Sequence, residues 1–474
     1  MFKIKMRFRS IPRKFVYVAI IVLIVGVAGL IAVSIVQSSD KLLSVVGQQY
    51  LPGIGGNSIV QASDGGYLAL GQSASVQDGS FINYTSLVVK TDPEGNPTWS
   101  KNYSIDGMDT RLTLAVQVSD GYVLAGSRAV KTIFPLANST EFGVATQQFC
   151  LLKIDPQGNI QWANTYVEGN QSGREVAGYS LGSFIQTSDG GYALIGSYTF
   201  PSPSDQYLWL VKTDAAGDLQ WNQTIYVGSY ASAIFQTNDE GYVIVGTQTS
   251  HGPSPEFYEM IKVDSSGSVQ WYHTFGGKGD FFSARSYSGA TTSDGGFLIV
   301  GSASSQGGAP TGWIVKTNGQ GAMLWNTKYS YNNYPTSITS ISQAGTGFMF
   351  IGMATKETNY GVFDANSRTY TWVVQIDEAG NIQGQVVIDT GHSITNPTSI
   401  VQTLDGRHVF VGIWNQSAQP PLSQKFWFAK IANFSAIPYV WFSLNLAIVI
   451  SVILIEGVIV ISVWKRIRRN SNSN

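Results

Sequence analysis

A seven-bladed, all-β propeller of four-stranded blades, flanked by two transmembrane helices, is the fold this sequence predicts. Three observations predict it. A turn of the type SDGG, followed by an aromatic and a short apolar run, returns along most of the chain. A second turn and then a tryptophan follow at a regular offset, and an apolar run stands near each end.

The composition fits. Charged residues make up 12% of the 474 residues, against roughly 25% in an average soluble protein. Gly, at 51 residues, and aromatics, at 12%, favour strands and tight turns over helices. The single cysteine, Cys150, excludes an internal disulfide and reads as a small buried core residue.

The ends come first in chain order. Residues 1–14 carry six basic residues and no acid, and the run FVYVAIIVLIVGVAGLIAVSIV follows. It is long enough for a transmembrane helix over 15–37, since a span takes roughly 20 residues. A cleaved signal peptide, processed near AVS at residue 34, is the alternative; its apolar core would run only about 7–15 residues. A second span is predicted over 438–464, with Tyr439, Trp441 and Phe442 at one edge and Trp464 at the other, before a basic tail at 465–474. The positive-inside rule puts both tails in the cytoplasm and the domain over 42–432 outside, at the cell membrane. The stretch between the two spans holds 19 of the 29 basic and 29 of the 30 acidic residues, for a net charge near −10. Nucleic acid is a poor partner for such a surface.

Between the spans lies the repeat, as in QTSDGGYALIGSY, residues 186–198. Aligned on the aromatic after the glycines, it recurs at Tyr67, Tyr122, Tyr192, Tyr242, Phe297 and Phe348, with His408 in the seventh place. The spacings are those of propeller blades. Each unit reads as four strands; in the third they are SFIQTS, YALIGSY, YLWLVKTD and LQWNQTIY. Asp and Gly in SDGG suit a tight hairpin. The second turn, DPEGN in the first unit and DAAGD in the third, opens on an Asp or Asn able to bond the following backbone. Asp92, Asp155, Asp214, Asp264 and Asp377 are therefore turn residues, each alone in its unit, and no metal ligands are predicted.

Trp99, Trp162, Trp221, Trp271 and Trp325 follow that turn, with Gly384 in the sixth unit. A large aromatic at one place per repeat packs between neighbouring blades. Gln61, Gln117, Gln186, Gln236 and Gln402 stand on the innermost strand; they read as bonding backbone across blades, with a ligand-binding ring as the alternative. The seventh unit lacks its last strand, and the segment Leu42 to Tyr50 is predicted to supply it and close the ring, leaving no open edge.

The pattern VK-x-D-x-x-G-x-x-x-W, as in LVKTDAAGDLQW, resembles the repeat of PQQ-like, quinoprotein-type propellers, and SDGGY–GS resembles repeats of large bacterial and archaeal surface proteins, with a distant likeness to kelch. The resemblance covers about residues 42–432. It implies a propeller whose aromatic docks blade to blade. Quinone-binding members commonly have eight blades and a vicinal cysteine pair, which this chain lacks, so no cofactor is expected.

The two tight turns of each unit fall on one face of a propeller. The remaining connections fall on the other and are long and irregular, as at 127–147, 166–180, 276–288 and 354–370, and variable loops are where binding gathers. Both spans join the tight-turn face, so the variable face points away from the membrane. Its aromatics Phe134, Phe200, Phe257, Phe281, Phe282, Tyr331, Tyr360 and Trp414 are the candidate contacts. Glu456 is the one ionisable residue within a span and a candidate intramembrane contact.

Other chemistry is sparse. GYSLG, residues 178–182, matches G-x-S-x-G, but that motif needs a strand-to-helix elbow, and here it is placed in a blade-to-blade loop. His251, His273, His392 and His408 lack metal-ligand spacing. Seven N-x-S/T sequons begin at Asn83, Asn102, Asn138, Asn170, Asn222, Asn415 and Asn433, compatible with an exterior location. The expected function is a membrane-anchored, non-enzymatic binding module engaging an extracytoplasmic protein or glycan. The alternatives are an envelope assembly scaffold with membrane partners and, less favoured, a cofactor-dependent enzyme.

Overall fold

The computed structural model describes residues 44–77, 80–134, 142–167, 178–199, 206–249, 255–276, 283–356, 368–389, 394–415 and 424–432. The chain divides into two units, Met1–Leu42 and Leu43–Asn474, and every described residue belongs to the second. The predicted spans, their basic tails and Glu456 lie outside the described residues. Among those described, no helix is long and apolar enough to cross a membrane.

All the described elements are strands, β1 to β28. The chain enters on β1 (Ser44–Leu51). Blade one follows as β2 (Ile54–Gln61), β3 (Tyr67–Gln77), β4 (Ser80–Thr91) and β5 (Pro97–Tyr103). Blade two is β6 (Thr110–Val118), β7 (Gly121–Phe134), β8 (Phe142–Ile154) and β9 (Ile160–Tyr166). Blade three is β10 (Gly178–Gln186), β11 (Tyr192–Thr199), β12 (Gln206–Thr213) and β13 (Leu219–Val227). Blade four is β14 (Ser229–Gln236), β15 (Tyr242–Gln248), β16 (Phe257–Val263) and β17 (Val269–Phe275). Blade five is β18 (Ser283–Thr291), β19 (Phe297–Ser304), β20 (Thr311–Thr317) and β21 (Met323–Tyr329). Blade six is β22 (Thr336–Ala344), β23 (Gly347–Lys356), β24 (Arg368–Ile376) and β25 (Ile382–Ile388). Blade seven is β26 (Ile394–Gln402), β27 (His408–Asn415) and β28 (Gln424–Ala432), completed by β1.

The closure is antiparallel, from Ser44 opposite Ala432 to Leu51 opposite Phe426. The predicted closing strand is thus displaced by only one or two residues. Two other expectations move. GYSLG lies within the innermost strand β10, not in a connection, and Ser180 pairs with Ser197. The connection at 127–147 is largely a two-stranded ribbon, because β7 and β8 stay paired out to Phe134 opposite Phe142.

The repeated residues now have physical causes. The second strand of a blade is covered on both sides, so β11, YALIGSYT, is buried along nearly its whole length and reads as a continuous run. In the second turn, Asp92 accepts from the backbone N–H of Asn96 at 2.7 Å, and Asp377 from that of Asn381 at 2.8 Å. The turn glycine is left-handed, with φ of 80° at Gly217. The same glycine is the docking point of the preceding blade: a Cβ on Gly217 would lie 2.8 Å from the Trp162 ring. Gly158, Gly267, Gly321 and Gly380 meet Trp99, Trp221, Trp271 and Trp325 in the same way. Tyr103, Tyr166 and Tyr329 add hydroxyl bonds of 2.6–2.7 Å to the carbonyls of Gly158, Gly217 and Gly380.

The glutamine column is structural where its bonds are described. The Gln61 side-chain oxygen accepts from the Leu404 N–H of blade seven at 2.6 Å, and that of Gln236 from the Ser188 N–H of blade three at 2.7 Å. Gln343 occupies this place in blade six and donates to two carbonyls of its own turn.

An ion pair between a largely buried Lys and a solvent-facing Asp couples the two halves of the repeat. The Lys of VK-x-D reaches the Asp of SDGG: Lys90 to Asp64, Lys153 to Asp120, Lys212 to Asp189, Lys262 to Asp239 and Lys316 to Asp294, all at 2.7–2.9 Å. In blade six, Gly345–Thr346 stands where blade two has Ser119–Asp120, and Gln375 replaces the Lys, so both partners are missing together. Asp189, Asp239 and Asp294 are held down at about 2. At Asp189 burial opposes the shift but bonds from Lys212, Thr187 and the Gly191 N–H outweigh it; Thr237 leads at Asp239 and Lys316 at Asp294. The pairs therefore stabilise the fold above about pH 4, where an unfolded Asp ionises, and that contribution is lost as pH falls toward 2.

Asp189→Ala should destabilise by about 2 kcal/mol in urea unfolding at pH 7. It strands an ammonium whose side chain is 6% exposed, with only Thr213 and Gln220 left as partners. The loss is below the 3–5 kcal/mol typical of a fully buried pair because Asp189 faces solvent. Adding Lys212→Gln, the arrangement of blade six, should recover most of it.

Candidate functional site

Each innermost strand carries a bulge near the end remote from the tight turns. The extra residues are Asn57, Thr113, Gly182, Ser232, Tyr287, Thr339 and Thr398. Two of them stitch neighbouring blades: Ser232 meets the Ser286 hydroxyl at 3.0 Å, and Thr398 donates to the carbonyl of Gly56; Thr339 donates within its own blade, to the carbonyl of Ile351. Bulges commonly re-aim side chains beside sites. Tyr287 is the only aromatic among the seven, and it is 44% exposed.

Tyr287 lines a cleft of about 430 Å³ between blades five and six. Ser283 and Arg285 come from β18, and Ser302 and Ser304 from the paired end of β19. Blade six contributes Thr336, Ser337, Met353 and Thr355, with Pro310 and Pro335 from the connections. Every one of these positions lies at the strand ends away from the tight turns. Ser44 and Ala432 instead pair at the tight-turn end of blade seven, so the cleft and the chain ends of the ring occupy opposite faces.

Its charge is internally balanced. Arg285 holds Glu256 through two bonds, Nε to Oε2 at 2.6 Å and Nη2 to Oε1 at 2.7 Å, and Ser283 donates to the same carboxylate at 2.7 Å. The Arg285 bond holds the Glu256 carboxyl below its ordinary range against the opposing effect of burial, and Ser283 adds to it; the same bond raises Arg285. The phenols of Tyr287 and Tyr230 lie within electrostatic reach of the guanidinium. Tyr230 is also half exposed. Thr336 is fully engaged, accepting from the Gly312 N–H and donating to the Tyr329 carbonyl at 2.9 Å each. Ser302, Ser304 and Ser337 make no side-chain hydrogen bond among the described residues.

Among the described residues, none of the predicted aromatic contacts lines this cleft. Phe200, Phe281, Phe282 and Tyr360 lie outside the described residues, and Phe134 ends the β7 ribbon. Phe257 opens β16 and is half buried. Tyr331 is half buried against the blade five–six core, 6.3 Å from Trp372. Trp414 is a correction: it belongs to β27 and to the hydrophobic core, 9% exposed, with its ring 5.2 Å from Tyr50 and Lys425 lying over both rings. Loss of Trp414 therefore touches the closure of the ring rather than a ligand.

Two buried groups complete the description. Cys150 is in the core, and burial pushes its thiol up to about 12, so it is inert. Glu259 stands opposite Gly246, where blades three, five, six and seven place Trp209, Trp313, Trp372 and Trp427 opposite the matching glycine. It is wholly buried; Ser229 donates to Oε2 at 2.8 Å, and Oε1 has no partner. Burial raises its carboxyl to about 7, with the Ser229 bond opposing. The signal was present in sequence, since EMIKVD carries Glu where LWLVKTD carries Trp. Among the described residues no group of His, Cys, Asp and Glu has the arrangement of a metal site.

No family model and no curated protein matches the sequence. Solved structures match it in fold. One is a protein of unknown function from Bacteroides caccae, at 9% identity and a TM-score of 0.38, covering 68% of this chain and 94% of that one. Another is the leech intramolecular trans-sialidase, at 8% identity and 0.42, covering 83% and 71%. A third is the hemagglutinin-neuraminidase of parainfluenza virus 5, at 8% and 0.44, covering 83% and 96%. Two of the three bear the names of enzymes, and the expectation that this chain is not an enzyme is withdrawn.

Proposed function

We propose that the chain is a membrane-anchored, extracytoplasmic binding module that presents the face bearing the blade five–six cleft away from the bilayer. The observation that carries this reading is the register of Ser44 opposite Ala432. The entrance and exit of the ring lie side by side at the tight-turn end, and the cleft opens on the other face. The apolar runs near both ends and their basic flanks supply the anchor and its orientation. The net charge near −10 between the runs suits neither nucleic acid nor an anionic lipid surface as the ligand.

The test is protease accessibility on intact cells, with a tag on each tail and a cleavage site inserted in the connection between β7 and β8. Cleavage at the insertion with both tails protected is the expected result. Exposed tails, or an insertion protected until the cells are lysed, would overturn the reading.

A further inference from the structure

We propose that the cleft between blades five and six binds an uncharged saccharide unit of a glycan. The inference rests on the reading of the cleft-bearing face as the binding face, and it names the ligand class for that face. A volume of about 430 Å³ falls in the roughly 300–1,000 Å³ range of small-ligand sites. Seven of the eleven lining residues bear hydroxyls, against three with purely apolar side chains, Pro310, Pro335 and Met353. A peptide anchor would draw its affinity from a deep apolar pocket, which this lining does not form.

The hydrogen-bonding pattern matches a sugar. Ser302, Ser304 and Ser337 each keep an open hydroxyl, and a hydroxyl both donates and accepts, as the hydroxyls of a saccharide do. Arg285 spends two N–H groups on Glu256, and a guanidinium has five, so three remain for neutral oxygen acceptors. A carboxylated or sulfated ligand at the same place would meet the Glu256 carboxylate, whose charge already balances Arg285. The site therefore favours a neutral ligand. Tyr287, lifted on its bulge, offers a flat apolar face with a polar tip, suited to the C–H face of a pyranose ring.

The experiment uses the purified full-length chain in a detergent without a sugar head group. It is probed with immobilised neutral hexose and N-acetylhexosamine oligosaccharides, their carboxylated and sulfated counterparts, and a peptide library. The best binder is then titrated calorimetrically. The expected result is binding of a neutral oligosaccharide, weakened at least tenfold by Tyr287→Ser and by the triple replacement of Ser302, Ser304 and Ser337 with Ala. Tyr287→Ser is compatible with the fold because blade four carries Ser232 at that ring position. Leu404→Ala, on the tight-turn side and 81% exposed, should change nothing, and the melting temperatures of all variants should match the parent. Binding confined to anionic sugars or to peptides, no binding at all, or saccharide binding indifferent to the cleft variants would each overturn the proposal. The intact-cell protease result is independent of these outcomes, so a failed ligand class and a failed display geometry are told apart.

Discussion

Trp209→Ala is expected to lower the unfolding free energy by about 3–5 kcal/mol, the range for removing a large aromatic from a packed core. Trp209 is fully buried, with its ring 4.9 Å from Phe149 of blade two and 5.3 Å from Tyr179. Its Nε1 donates to the Asn222 side chain at 3.1 Å, a bond repeated by Trp313 with Asn326 and by Trp372 with Gln385. Alanine would leave a void between two blades and strip Asn222 of its donor. Trp209→Leu should recover part of the loss, because blade one holds Leu87 at this position opposite Gly71. Urea unfolding of the full chain gives the magnitude, and hydrogen exchange should show protection lost first in β8 and β12. A cost below about 1 kcal/mol would mean that the contact between blades two and three does not carry the stability its burial implies.

Blade number, turn chemistry and closure were legible because each is written several times at near-constant spacing. The Trp that follows DAAGD recurs, so its docking on the next blade could be read before any contact was seen. The Lys–Asp pairing recurs just as often and was still missed. Its partners lie 23 residues apart in blade three, and the pattern shows only when blade six, lacking both, is set beside the others. The cleft was not legible at all. Ser302, Ser304 and Ser337 are unremarkable in a chain rich in Ser, and their value comes from two adjacent blades ending at the same height. Trp414 was misplaced for the converse reason: an aromatic near a strand end serves core or surface equally well, and this one packs in the core. Glu259 was overlooked because its meaning lies in the residue it replaces.

Glu259→Gln is expected to change stability in a strongly pH-dependent way. Burial raises the folded carboxyl to about 7, whereas an unfolded Glu titrates near 4.3. Below about pH 4 both states hold the proton and the group costs nothing through ionisation. As pH rises from there, the unfolded chain releases its proton while the folded chain keeps it, and stability falls. The fall levels off above about pH 7, when the folded carboxyl ionises too. At about 1.4 kcal/mol for each unit of separation, the accumulated loss is about 3 kcal/mol by pH 8. Gln abolishes that slope. Its amide can take the Ser229 hydroxyl as the carboxylate does, and its NH₂ would occupy the place of Oε1, which has no partner. That mismatch is the same at every pH, so it cancels when the effect of the substitution at pH 8 is compared with that at pH 4. Urea unfolding of both proteins at the two pH values should show the variant gaining about 3 kcal/mol relative to the parent between them. A difference under about 1 kcal/mol would mean that water or a movement of the Gly228–Ser229 backbone reaches the carboxylate. The contact between blades three and four would then be looser than its wholly buried side chains imply.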